Sequence, residues 1–398
     1  MLALASLIVQ AGTFPNSTWV AMKPLPHQGH VAVFALAVDP SNNQSLLAGN
    51  SAGAILRSPD GGTTWTQVHT GSAALTTITY SPFTAGLVLA GTHSGGALVS
   101  RDGGLTWAPA PGLERRTVRA FAFALTLAVA GTDHGVYTSE DGISWSPTTL
   151  TNRSINSLAV EAIHAPVHLV AGTDSGSAAG LQLFQSNDAG ANWAPFTPPI
   201  SGTFAVKLLA GPLPPTGNIR PLLVGTNAGL FQSTDNGATF TPLSGGDLLP
   251  TTDYTQLAFI GSHYNRFYAA SDGGGSGAGG LWRTDDAGNT FRSLDPPRPS
   301  ITALSVSTDE LPVVYVATFR TSDHVAELWA FHDTGDPPQG PPVTPSPFAS
   351  AARTSTPESG FKLLDILTGS QLPYIGLGVA AVAVILTALV AQLRSRRR

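Results

Sequence analysis

The sequence predicts an all-β chain arranged as a seven-bladed propeller, plus one C-terminal helix able to cross a membrane. Three observations predict this. A short phrase recurs along the chain at intervals in the forties. Each copy follows three runs of strand length. Residues 374–393 carry no charge. A period of roughly 40–50 residues with four strands per unit is the signature of blades set around a central channel.

The phrase is Ser/Thr-x-Asp-x-Gly-x-Thr-Trp/Phe. Ser58-Pro-Asp60-Gly-Gly62-Thr-Thr-Trp65 returns as Ser100-Arg-Asp102-Gly-Gly104-Leu-Thr-Trp107. Further copies run from Ser186 through Asp188 to Trp193, from Ser233 through Asp235 to Phe240, and from Thr284 through Asp286 to Phe291. Ser139-Glu-Asp141-Gly-Ile-Ser-Trp145 is one residue shorter. Successive aspartates lie 42, 39, 47, 47 and 51 residues apart. The residue types predict a structural turn. A carboxylate or hydroxyl can bond the amides of its own turn, and glycine accepts positive φ. The aromatic residue then packs between blades.

Each unit supplies three strands before its turn. The first runs are 31–38, 75–80, 118–124, 155–160, 204–209, 256–260 and 301–306. The second end in small residues, as in Leu47-Ala-Gly49, Leu89-Ala-Gly91, Val129-Ala-Gly131 and Val170-Ala-Gly172. The third runs are 54–57, 97–99, 136–138, 181–185, 230–232, 281–283 and 327–331. Their lengths and their Gly, Asn and Asp punctuation indicate strands. The seventh turn decays to His332-Asp333-Thr-Gly335, with no fourth strand after it. Asn16-Ser-Thr18-Trp19 matches the end of a turn phrase, so the N-terminus is expected to supply the missing strand and close the ring.

The domain reading is a short or truncated signal segment at 1–12, the propeller at 13–335 and a Pro/Ser/Thr-rich linker at 336–372. A transmembrane helix at 373–393 and a basic tail at 394–398 follow. Twenty residues at ~1.5 Å each span a hydrocarbon core of about 30 Å. The terminal Arg394-Ser-Arg-Arg-Arg398 sets the expected orientation: a single-pass cell-membrane protein, C-terminus cytoplasmic and propeller outside. Met1–Gln10 is apolar but lacks a positive start. A tail anchor with a cytoplasmic propeller is the alternative. Asn16 and Asn152 begin glycosylation sequons.

The chain has 398 residues, 11% charged, with a net charge of −5 and no cysteine. This argues against generic nucleic-acid binding and excludes disulfides, thiolate metal sites and cysteine nucleophiles. No metal-ligand spacing repeats, so no metal or cofactor is expected. The loops entering each first strand and the loops between second and third strands share one end of the ring. They carry Arg115, Arg116, Arg119 and Arg153, with His93, His134 and Arg320 as further candidates, and Lys23, His27 and His30 at the first junction. Such arginines can hold carboxylates, phosphates or an acidic protein surface through paired bonds.

The recurring phrase resembles the Asp-box, or BNR repeat. Its structural residues here are Asp60, Asp102, Asp141, Asp188, Asp235 and Asp286, with Trp65, Trp107, Trp145, Trp193, Phe240 and Phe291. The stretch Trp19-Val20, then Leu36-Ala-Val38-Asp39-Pro40, Leu47-Ala-Gly49 and the first box is most similar to photosystem II stability and assembly factor-like propellers, over residues 16–335. That resemblance implies a single extracytoplasmic seven-bladed ring with an arginine patch and a non-catalytic binding or assembly role toward a membrane or extracytoplasmic protein. Bacterial sialidases are more distantly similar. Their Arg-Ile-Pro motif is missing, since Asn218-Ile-Arg220-Pro221 has another order, and no Tyr–Glu pair can be assigned. Xyloglucanase-type hydrolases need two propellers around a cleft with paired carboxylates. A glycan-binding or glycan-hydrolysing surface protein stands as the alternative function.

Overall fold

The computed structural model describes residues 18–26, 31–162, 166–174, 180–215, 219–261, 263–273, 279–320 and 325–334. The anticipated signal segment, linker, membrane helix and basic tail lie outside these residues, as do His27 and His30. Among the described residues, no helix is long and apolar enough to cross a membrane.

Seven four-stranded antiparallel sheets follow one another along the chain. In the first blade, strands A to D are Val33–Asp39, Asn42–Asn50, Ala54–Ser58 and Thr66–Thr70. The next five blades keep this order. The seventh is composite, with Ile301–Val306, Val313–Arg320 and Val325–His332 joined by Trp19–Ala21 on the outside. Trp19 pairs with Phe331 and Ala21 with Trp329. The Trp19 indole also donates to the Leu294 carbonyl at 2.7 Å, tying the closing strand to blade six.

The glycines near the ends of strand B in blades one to five have a packing reason. A Cβ on Gly91 would lie 2.4 Å from the Val118 carbonyl, the start of the next blade's strand A. One on Gly225 would lie 2.3 Å from the Tyr254 carbonyl. Only glycine permits that approach, so neighbouring blades meet backbone to side chain. The core lies between blades: Leu87, Leu89, Val118, Phe121 and Trp145 form one cluster from blades two and three.

Each Asp-box is a self-bonded turn, as expected. In the second, the Ser100 hydroxyl donates to Asp102 Oδ1 at 2.7 Å and accepts from the Gly104 amide at 2.8 Å. Asp102 accepts the Thr106 amide at 2.9 Å and its hydroxyl at 2.5 Å. The box aromatics pack on the clusters between their own and the preceding blade, Trp107 on the one containing Leu47 and Trp193 on the one containing Val129. The shortened copy keeps the carboxylate's role, with the Ile143 and Ser144 amides both donating to Asp141.

These bonds set an acid limit. Burial raises the Asp102 carboxyl, but hydrogen bonds from Thr106, Ser100 and Leu105 outweigh it and bring it down to about 2. The other five box aspartates are lowered too. A carboxyl lowered in the folded state stabilises fully above its unfolded value, about 3.9, and progressively less as pH falls through the folded value. The melting temperature should therefore be insensitive to these groups above about pH 5 and fall between about pH 4 and pH 2. Asp102→Asn should lower the neutral-pH melting temperature and reduce the acid-dependent fall. A variant whose melting curve keeps the full acid fall would contradict this.

Candidate interface at the channel mouth

Antiparallel pairing fixes which loops share a face. The A–B and C–D turns lie at one end of every blade, and the B–C and D–A loops at the other. The arginines are on the second face. The loop from blade two to blade three is anchored by Leu113, which is fully buried. Gly112 takes φ 93°, and a Cβ there would strike the Trp145 carbonyl at 2.1 Å. The Arg116 amide closes a turn on the Leu113 carbonyl at 3.2 Å. Arg115, at φ 61°, is exposed on this turn. A left-handed non-glycine residue costs about 1–2 kcal/mol, which packing of the anchored loop must offset.

The neighbouring loops are stitched to it. The Gly96 amide donates to the Arg116 carbonyl at 2.9 Å, and the Ser94 amide to Thr117 Oγ1 at 3.0 Å. This holds the His93 loop beside the arginines. The Thr117 amide donates to Asp133 Oδ1 at 3.2 Å, and His134 Nδ1 lies 3.2 Å from the same oxygen. One blade further, the Asn152 amide donates to the His134 carbonyl at 3.0 Å. Arg153 follows, exposed, with its guanidinium 5.7 Å from the centre of the Phe184 ring. That contact over the aromatic face holds the charge in place.

Arg119 reaches this layer by a different route. Register shifts at the second residue of strand A in six blades: Phe34, Thr76, Arg119, Asn156, Val206 and Thr302 occupy the shift. These are bulges on the innermost strands, at the D–A end. Several bridge to the next blade: Thr302 Oγ1 donates to the Val33 carbonyl at 2.7 Å, and Arg119 Nη1 to Ser154 Oγ at 2.6 Å. Arg119 therefore links the junction bearing Arg115 and Arg116 to the one bearing Arg153.

The structure thus places Arg115, Arg116, Arg119 and Arg153, with His93 and His134, in one layer of hydrogen-bonded loops spanning blades two to four. Arg320 ends strand B of blade seven, two blades from the nearest edge of this layer, and is not brought into it. Among the described residues, none of the four clustered arginines forms an ion pair with a carboxylate. The nearest acid in sequence, Glu114, instead accepts the Gly112 amide at 3.1 Å, and backbone hydrogen bonds hold its carboxyl below the ordinary value. Sequence reasoning missed the bulge and the roles of Thr117, Asp133 and Ser154 as fasteners. No local pattern marks them.

No family model and no curated protein matches the chain. Solved structures do. The structure of YCF48 bound to D1 peptide aligns over 79% of this chain and 95% of its own, with a TM-score of 0.55 and 15% identity. In fold, the chain is similar to YCF48. The YCF48 of Cyanidioschyzon merolae aligns over 79% and 98%, with a TM-score of 0.52 and 17% identity. The WD40 propeller domain of Doa1 aligns at a TM-score of 0.56 and 12% identity, covering 76% of this chain and 94% of that one. At these identities the likeness to YCF48 and to Doa1 is one of fold.

Proposed function

We propose that the chain is a membrane-anchored, extracytoplasmic propeller that binds a protein partner without catalysing a reaction. Its binding element is the layer bearing Arg115, Arg116, Arg119 and Arg153. Its ligand is a carboxylate-bearing polypeptide segment. The observation that carries this reading is the set of clustered arginines from two adjacent blade junctions, none of which pairs with a carboxylate among the described residues. Guanidinium groups on a built surface without a carboxylate partner suit paired bonds to an incoming carboxylate.

Two further observations support it. YCF48, similar in fold, has been solved with a bound peptide. Two carboxylates on this face are engaged by their surroundings, Asp133 by the Thr117 amide and Asp253 by the Ser271 hydroxyl at 2.8 Å. A glycosidase needs two acidic groups set across one bond, one of them raised in pKa. The membrane anchor rests on the uncharged 374–393 segment and the basic tail after it.

Affinity capture from detergent-solubilised membranes tests the proposal, comparing the native chain with an Arg115/Arg116/Arg119/Arg153→Ala variant of equal melting temperature. A membrane or extracytoplasmic protein retained only by the native chain supports it. Equal capture by both removes the arginines from the account. Glycan turnover by the native chain would favour the hydrolase alternative.

A further inference from the structure

The other face of the ring carries an unexplained set of apolar side chains. Among the described residues, six large hydrophobic side chains are exposed, at 38–52%. Phe34 belongs to the channel mouth. The other five are Phe83, Leu105, Leu125, Leu213 and Leu311. Phe83, Leu125, Leu213 and Leu311 sit in the A–B turns of blades two, three, five and seven, and Leu105 in the second Asp-box. All five are therefore at the end opposite the arginines. Prolines flank three of them, in Ser81-Pro82-Phe83, Pro212-Leu213-Pro214 and Leu311-Pro312. Proline restricts the backbone and lowers the entropy lost on fixing a side chain at a surface.

Their distribution constrains the occupant. A peptide or helix covers one groove, whereas these side chains are spread around the ring on blades two, three, five and seven. Points spread around one end of a ring are met together by a flat apolar medium. The chain also leaves the propeller on this face: Val325–His332 runs toward the C–D end, and Thr334 is the last described residue. The uncharged 374–393 segment lies downstream of that exit. The turns carry mostly acid beside the apolar groups, with exposed Asp309 and Glu310 next to Leu311 and exposed Glu140 in the third box, while exposed Arg101 near Leu105 is offset by its neighbour Asp102. An anionic surface would repel them, so the matching surface has neutral or zwitterionic headgroups.

We propose that the A–B turn face docks on a lipid bilayer of net-neutral headgroups, with Phe83, Leu105, Leu125, Leu213 and Leu311 entering its interfacial layer. This rests on the membrane-anchored reading above. Docking in this way turns the arginine layer away from the membrane, toward a partner's projecting segment. Apolar side chains seated at the headgroup boundary add to an anchor through buried apolar area.

The absence of cysteine from the whole chain makes a clean test. Single-cysteine variants of the full chain at Leu125, Leu213, Leu311 and, on the opposite face, exposed Ala52 are labelled with bimane. Each is reconstituted into phosphatidylcholine vesicles with and without doxyl-labelled lipid. Docking predicts quenching of about twofold or more at positions 125, 213 and 311 and little at 52. Replacing part of the phosphatidylcholine with phosphatidylglycerol should weaken it. Vesicle-bound chain with no more quenching at 125, 213 and 311 than at 52, or equal quenching at all four, overturns docking and leaves the anchor standing. A chain that does not float with vesicles overturns the anchor and docking together.

Discussion

Replacing Asp333 with alanine is expected to destabilise the propeller by about 3–5 kcal/mol, because it leaves a buried arginine without its closest counter-charge. The side chain is 2% exposed. It pairs with Arg283 Nη1 and accepts the Tyr268 hydroxyl at 2.6 Å. Arg283 and Arg266, 3% and 0% exposed, also share Asp285. This cluster joins blade six to blade seven, beside the junction where the ring closes. Its origin is in the sequence. Asp333 occupies the aspartate position of the decayed seventh box, but Phe331 stands where the other boxes have Ser or Thr. With no hydroxyl at position 331 to bond, the carboxylate takes a cross-blade role, and Phe331 instead packs on Trp19 at 5.1 Å between ring centres. The melting temperature of the Asp333→Ala variant should fall by on the order of 10 °C. Asp333→Asn, which can still accept from Tyr268, should fall less. A double variant with Arg283→Met should recover part of the loss, since no unpaired charge remains buried. An alanine variant that melts with the native chain would show that the cluster is dispensable.

The second large effect is on binding. Removing Arg115, Arg116, Arg119 and Arg153 together should weaken partner affinity about 100-fold or more, given roughly 1.5–3 kcal/mol for each charge-assisted bond lost. The salt dependence of binding should shrink as well. Folding should be little affected, because Arg115 and Arg153 are exposed and only Arg119 bridges two blades. A four-lysine variant keeps the charge but not the planar fork. It should bind between the two, which separates paired recognition from attraction by net charge. Equal affinities for the native, lysine and alanine forms, measured by titration of the captured partner, would contradict the assignment.

The fold was legible because its determinants are local. Each Asp-box carries its own bonding partners within a few residues, so repetition alone counted six turns. The closing strand was legible because Trp19 ends a phrase that Phe331 had lost. The small residues of strand B signalled the blades before their contacts with the next strand A were visible. Legibility ended where partners are distant in sequence. Nothing near Asp333 announces Tyr268 or Arg283, 65 and 50 residues away. Arg119 belongs by spacing to an ordinary inner strand. The bulge that sets it at the channel rim depends on the partner strand, where Thr132 pairs with Val118 and Gly131 with Ala120. The grouping of Arg115, Arg116 and Arg153 could be anticipated from loop class, but the fasteners between their loops could not. Arg320 shares the loop class without sharing the place, because a ring distributes equivalent loops around its whole circumference.

The most direct test of the central claim is hydrogen exchange of the full chain with and without its captured partner, read by mass spectrometry. Binding through the arginine layer predicts new protection in residues 113–119, 133–134 and 152–154, and loss of that protection in the four-alanine variant. Protection confined to the A–B and C–D turns, with these loops unchanged, would place the partner on the opposite face and contradict the account.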